Sequence, residues 1–350
     1  MLITVIGKSY SAKRISDCLA ENDKYIVFTT ADSTLANKID ISPNNVDEIK
    51  DFINANEISL LIIGDKNYYS QNYEEVINET ECCVLCFENM AQKLCTNISS
   101  AKKFAYKNKI QTPKFATFEK LAIALEYLQT ATFPLVIMPD SINQTQVGYI
   151  AETKDKAKKE IEKLFETDNK KIMVENYIQG INYTKYIVSD GLTTLDLLET
   201  VKYFDEVSTN NTNYINEIAK NKIEKEIMPT IIDSFMEEGI EFQGVLGIEF
   251  VINNNEVYFS KFKPFFDDLD IDIAIETIEN ECLTVLYKCA TGTLAEGKNI
   301  KTKPIYAISI DNKDEFITTT AKTITNAIKI AKIEGANNKL IDEAIKNWER

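Results

Sequence analysis

Three groups of side chains carry the chemistry this sequence can offer. Glu249 stands alone in the apolar run Val245–Ile252. Lys261 and Lys263 lie two apart in Tyr258-Phe259-Ser260-Lys261-Phe262-Lys263-Pro264, so in a strand they share one face. Asp267, Asp268 and Asp270 follow within a few residues. Carboxylates so grouped suit a hard divalent cation, which takes oxygen ligands. Their ordinary role is an acidic cluster at a helix N-terminus. Lys202, Lys261 and Lys263 are candidates to hold an anion. Lys261 and Lys263 equally suit ion pairs with Glu249 and an aspartate, because an unpaired buried charge is costly. Glu249 reads as a salt-bridged strand residue.

Other chemistries are excluded. The chain has no histidine, so it lacks the commonest general base and His-ligated metals. Gly7-Lys8-Ser9 follows an apolar strand, but a P-loop needs a glycine where Leu2 stands. Ser9 and Ala12 break the dinucleotide glycine pattern. There are 11 glycines, no two adjacent, so a glycine-rich phosphate cradle is hard to build. Cys82, Cys83, Cys86 and Cys95 cluster, but Cys82–Phe87 reads as a strand that would point neighbours to opposite faces. Buried structural thiols are the expectation.

Lys and Arg number 39 against 54 Asp and Glu, a formal net charge of −15. This excludes nucleic acid or an anionic membrane as the main partner, since both require a basic footprint. The first apolar run, Leu2–Ile6, is too short for a signal peptide and follows no basic segment. Reduced thiols and a cytoplasmic location are expected.

The elements that position these residues fall into a series. Strands are predicted at Leu2–Ile6, Tyr25–Thr29, Ser59–Gly64 and Cys83–Phe87, alternating with helices at Ala12–Glu21, Val46–Asn56 and Tyr73–Ile77. This rhythm implies a doubly wound parallel sheet. Asn89–Lys109 reads as one long helix or two. Helix Glu119–Gln129, strand Pro134–Met138, strand Val147–Ala151 and helix Lys154–Phe165 follow, then strands near Ile172–Tyr177 and Asn182–Val188. Asp190-Gly191 and Asn253-Asn254-Asn255 signal hairpin turns. Tyr203–Tyr214 is expected to be a mobile loop, and Asn216–Glu238 a long helix capped by Gly239. The tail reads strand, helix, helix over Pro304–Ile310, Ala321–Lys332 and Leu340–Trp348.

Several segments in this order carry a likeness: Pro134-Leu-Val-Ile at a strand end, Val174-Glu175-Asn176-Tyr177-Ile-Gln-Gly180, Ile227-Met-Pro-Thr with Glu238-Gly239, Phe242-Gln-Gly244-Val-Leu-Gly247 and the hairpin after it. The chain resembles the ATP-grasp ligases, and within them the phosphoribosylamine–glycine ligase (glycinamide ribonucleotide synthetase) family of purine biosynthesis. The likeness extends to the terminal Glu343–Arg350. It implies an α/β and α+β fold in three parts. These are an N-terminal doubly wound parallel-sheet domain (1–100), a two-lobed ATP-grasp-like domain (101–295) and a small C-terminal α/β subdomain (296–350).

The resemblance also implies a chemistry. ATP phosphorylates a carboxylate, an amine attacks the acyl phosphate, and Mg²⁺ with lysines neutralises the phosphates. The implied adenine hinge is Val174, Glu175, Asn176 and Tyr177; for Glu175 a structural role is equally open. Other family positions are replaced. Met138 stands where a phosphate-binding lysine is implied, and Asp140–Val147 replaces the glycine-rich loop. Ile181 or Asn182 stands for the ribose-binding acid. Lys8-Ser9-Tyr10-Ser11 replaces the turn that cradles the amine's phosphate, and Val207–Asn213 the later substrate loop. The Glu-x-Asn metal pair is Ser260 and Phe262 in one register, Lys261 and Lys263 in the other; Glu249 matches the place of a further implied metal ligand, with Asp267, Asp268 and Asp270 as the carboxylates that could substitute. A family member that has lost ligation is therefore expected, binding a nucleotide or another small anion, with ATP as the candidate ligand and the departures counting against Mg²⁺. An active ligase and a non-catalytic interaction protein with a filled cleft are the alternatives.

Overall fold

The computed structural model describes residues 1–87, 89–141, 148–167, 171–279, 281–296, 300–313 and 315–349. The first five strands are β1 (Leu2–Ile6), β2 (Ile26–Thr29), β3 (Asn37–Lys38), β4 (Leu60–Ile63) and β5 (Cys83–Leu85). They form a parallel sheet in the order β3-β2-β1-β4-β5. β1 and β4 read as near-continuous apolar runs because crossover helices cover both faces. Ile3, Val5 and Leu60 to Ile63 are fully buried. Asn89–Lys109 resolves into two helices, Asn89–Thr96 and Ile98–Lys107, the second capped by the Asn97 side chain.

A second sheet holds β6 (Phe115–Phe118), β7 (Leu135–Pro139), β8 (Tyr149–Ala151) and β9 (Ile172–Asn176), antiparallel in the order β6-β9-β7-β8. Helices Leu121–Tyr127 and Lys154–Glu166 cover one face and share its own core with Leu135, Ile137, Ile172 and Val174.

The third sheet is antiparallel and has seven strands: β10 (Ile181–Asp190), β11 (Thr194–Tyr203), β12 (Val207–Thr209), β13 (Gln243–Asn253), β14 (Glu256–Lys263), β15 (Tyr306–Asp311) and β16 (Phe316–Ala321). Their order is β14-β13-β10-β11-β12-β15-β16. The β10–β11 turn is closed by Asp190, whose Oδ1 accepts from the Thr193 amide at 2.7 Å.

Three expectations are corrected. Tyr203–Tyr214 is not a free loop: β12 lies between β11 and β15, with Val207, Ser208 and Thr209 buried. Its polar composition hid it, because the Ser208 hydroxyl is satisfied by Asp270 and that of Thr209 by the Ala307 carbonyl. The tail gains β16, whose consecutive threonines look polar but are β-branched and suit a strand. The long helix carries a π turn at Ile223–Ile227, just before Pro229. That widening falls where the proline lacks the N–H an unbroken α-helix would use. Gly239 ends the helix in the left-handed region, at φ +62°.

The N-terminal domain is tied to helix Asp268–Thr277. Tyr10 Oη donates to Asp272 at 2.7 Å, and Arg14 Nε to the same carboxylate at 2.6 Å. Cys82, Cys86 and Cys95 are buried thiols. No group of three or more metal-ligating Cys, Asp or Glu side chains occurs among the described residues. No described helix is long and apolar enough to cross a membrane.

Candidate active-site cleft

A cleft runs between the β7–β9 sheet and β10–β14. It holds a recess of about 190 Å³, walled at the hinge by Ile98, Val136, Met138, Ile150 and Val251 and reaching Lys202, Glu249 and Lys261 at the hairpin. Alternation along β7 buries Leu135 and Ile137 and turns Val136 and Met138 toward the cleft. The segment 142–147 of the loop that follows lies outside the described residues.

The hinge strand β9 runs along this recess. Val174 faces away, into the core of the small sheet. Glu175 is 2.6 Å from the Lys102 ammonium, whose side chain is 1% exposed. Lys102 also donates to Thr112, and Thr112 to the Phe259 carbonyl. This chain of contacts clamps helix Ile98–Lys107 to the hinge and to β14, which supports the structural role for Glu175. Asn176 and Tyr177 line the recess. Their amides donate to Lys114 and Pro134 carbonyls. The Ile178 amide, next along the lining, has no protein partner among the described residues.

At the other end the charged residues meet. Pairing of β13 with β14 sets Lys261 opposite Glu249 and Lys263 opposite Gly247, with an irregularity at Glu249/Phe250 that leaves Ser260 as the extra residue. This decides the register. Lys261 and Lys263 face the cleft. Phe262 turns to the other side, packing on Phe104, Phe235 and Phe259. The bulge also turns Ser260 inward, and its hydroxyl donates to Glu249 Oε1 at 2.9 Å.

Lys263 Nζ lies 2.7 Å from Glu249 Oε2 and 2.6 Å from Asp267 Oδ2, and donates to Thr184 at 3.2 Å. Lys202 Nζ lies 2.6 Å from the same Asp267 oxygen and 3.0 Å from Asp270 Oδ2. Asp270 is fully buried and accepts from Tyr186 at 2.6 Å and Ser208 at 2.5 Å. Gly247 is required here. A Cβ at that position would come within 2.7 Å of the Tyr186 ring and 3.1 Å of Lys263 Cβ. Lys261 is farther out, a third exposed and 3.7 Å from Glu249.

Burial opposes ionisation of every member, yet the attractions win. Burial would raise the Glu249 pKa, but Lys261 and Lys263 hold it down at about 2. Asp267 is likewise held well below the carboxylate range by Lys202 and Lys263 against its burial. Burial would discharge Lys263 and Lys202, but Asp267 with Glu249, and Asp267 with Asp270, raise their pKa values.

Asp268 stands apart from this cluster. Its carboxylate accepts from the Ser11 amide at 2.8 Å and the Ser11 hydroxyl at 2.6 Å. In the same turn the Lys8 and Ser9 amides both donate to Asp65 at 2.9 Å. Lys102 and Asp65 were not singled out in the sequence. Lys102 meets Glu175 across 73 positions, and Asp65 meets the Lys8 and Ser9 amides across 57 and 56, so no local signal marks these pairs.

A parallel-sheet domain followed by two antiparallel lobes enclosing such a cleft defines an ATP-grasp protein. The chain belongs to the phosphoribosylglycinamide synthetase ATP-grasp (A) domain family, whose model matches residues 96–271. It is 20% identical to a phosphoribosylamine–glycine ligase of Clostridium acetobutylicum over 263 residues, 70% of this chain and 63% of that protein. The corresponding ligase of Caldanaerobacter subterraneus is 21% identical over 323 residues, 86% of this chain and 77% of its own. The alignment with the first relative thus spans less than two thirds of that protein. Among solved structures, the Thermotoga maritima phosphoribosylamine–glycine ligase superposes with TM-score 0.73 at 14% identity, covering 95% of this chain and 96% of that one. N5-carboxyaminoimidazole synthetase of Staphylococcus aureus complexed with ADP gives TM-score 0.70 at 14% identity, covering 96% and 98%.

Proteins of this class bind ATP and Mg²⁺. The donor set at Glu249, Asp267 and Asp270 does not fit a divalent cation. Lysine ammonium groups at 2.6–3.0 Å already pair with all three carboxylates.

Proposed function

We propose that this chain is a member of the family that no longer ligates, and that its cleft binds an adenine nucleoside or nucleotide without metal. The observation that carries this reading is the closed ion network of Lys202, Lys263, Glu249, Asp267 and Asp270. Acyl-phosphate chemistry needs surplus positive charge at the γ-phosphate. With Lys261 included, three ammonium groups face three carboxylates, so the cluster carries no surplus. Met138 supplies no charge at the lysine position. At the N-terminal turn, Asp65 and Asp268 take the Lys8, Ser9 and Ser11 amides that an external phosphate would need. Removing one preorganised donor commonly costs about 10²–10³ in rate, and here several are absent together.

The hinge end supports retained binding. Ile98, Val136, Met138 and Ile150 give it an apolar wall beside the Lys102–Glu175 pair, and the Ile178 amide stands unpaired among the described residues. The recess is smaller than the roughly 300–1,000 Å³ of ordinary ligand pockets, which favours a nucleoside over a triphosphate.

Thermal unfolding with adenosine, AMP, ADP and ATP, each with and without Mg²⁺, tests the reading. At about 100 times its dissociation constant a ligand adds about 2.7 kcal/mol. The expected result is a shift indifferent to Mg²⁺ and larger for adenosine or AMP than for ATP, with no glycine-dependent ADP release. Mg²⁺-dependent ADP release with glycine and an amine would establish the active ligase instead. No shift with any of the four would leave the interaction protein.

A further inference from the structure

The ion network has the connectivity of a two-cation site. Glu249 and Asp267 flank Lys263 Nζ, Asp267 and Asp270 flank Lys202 Nζ, and the single oxygen Asp267 Oδ2 touches both nitrogens at 2.6 Å. One carboxylate bridges two cations and one further carboxylate closes each end. The ammonium groups are held as ligated ions are. Lys263 meets Glu249, Asp267 and Thr184, one acceptor for each of its three N–H donors. The carboxylates are fixed in turn: Ser260 donates to Glu249, and Tyr186 and Ser208 donate to Asp270. Lys202 is held from behind, where the Trp348 indole donates to its carbonyl at 3.2 Å. Both lysine side chains are buried, 2% and 6% exposed.

We infer that Lys202 and Lys263 are resident cations: their ammonium groups occupy two divalent-cation positions, and removing them frees two carboxylate pairs, Glu249 with Asp267 and Asp267 with Asp270, each to take a metal ion. This rests on reading the cleft as the family's metal centre, but not on whether the chain ligates or binds a nucleoside. The substitution changes the charge seen by a ligand. With Lys261 counted, three carboxylates and three ammonium groups sum to zero, whereas with two divalent ions in place of Lys202 and Lys263 they would sum to +2. A polyphosphate would meet attraction in the second arrangement and none in the first.

The test is a Mn²⁺ titration of the full-length chain, read by the electron paramagnetic resonance of free Mn²⁺, with no nucleotide present. The unmodified chain is expected to bind no Mn²⁺ at the network. Lys202→Met with Lys263→Met is expected to gain affinity by about tenfold or more and to unfold at a higher temperature once Mn²⁺ is added. Lys263→Met alone, which keeps Lys202 on Asp267 and Asp270, is expected to gain one site and serves if the double variant does not fold. Asp267→Asn added to either variant should abolish the gain. The inference is overturned if a folded lysine variant binds no more Mn²⁺ than the unmodified chain. It is also overturned if the unmodified chain binds Mn²⁺ in a way that Asp267→Asn removes. Because no nucleotide is used, failure of the nucleoside reading leaves these outcomes unchanged.

Discussion

The two ends of the cleft are built from neighbouring strands and have opposite character. At the hinge, Val136, Met138 and Ile150 form an apolar wall of the recess, with an unpaired amide at Ile178 among the described residues. At the hairpin, Lys202 and Lys263 meet Glu249, Asp267 and Asp270 at salt-bridge distance. One end can still exchange water for an apolar ligand. The other has satisfied its charges internally, and a ligand that broke that network would leave buried ions uncompensated. On the proposed reading, binding and catalysis separate within one cleft, because the first needs shape and the second needs surplus charge.

The largest way to break this contrast is Lys263→Met. It strands Glu249 and Asp267 with fewer partners, and urea unfolding at neutral pH should show a loss of about 3–5 kcal/mol. A loss below about 1 kcal/mol would mean that the hairpin end is not held by its charges.

Acid tests the same end. Glu249 falls from the ordinary glutamate value of 4.5 to about 2 on folding. A depressed carboxylate stabilises the fold above its unfolded value and loses that contribution as pH drops. Stability on the order of 3 kcal/mol should therefore disappear between pH 4.5 and about 2. Glu249→Gln should flatten that part of the profile measured by chemical unfolding.

At the hinge end, Ile150→Trp fills the recess. The adenosine-induced stabilisation, about 2.7 kcal/mol at 100 times the dissociation constant, should vanish while the unliganded melting temperature holds. A retained shift would place the ligand elsewhere. The smallest effect is expected from Lys261→Met. Its ammonium is a third exposed and 3.7 Å from Glu249, so the change should cost about 0–1 kcal/mol. A cost equal to that of Lys263→Met would erase the distinction between inner and outer lysine.

Much of the frame was legible because it is local. Apolar runs such as Leu60–Ile63 announce a parallel sheet, and Asp190-Gly191 and Gly239 mark a turn and a helix end through their own backbone preferences. The β12 and β16 strands were hidden because Ser208, Thr209 and the threonines of 318–320 look solvent-facing until hydrogen-bond partners arrive from distant segments. At the site, the alternation of Lys261 and Lys263 was readable, but not their facing. Ser260/Phe262 and Lys261/Lys263 were equivalent until the bulge beside Glu249 broke the alternation.

The sequence by itself determined most of the parts: the order of elements apart from β12 and β16, the family likeness and the absence of histidine chemistry. Which charges meet was decided only in three dimensions. Lys202 reaches Asp267 across 65 positions and Lys102 reaches Glu175 across 73. The free energy of an ion depends on what surrounds it after burial, and that surrounding is assembled by strand pairing and helix packing rather than by neighbours in the chain.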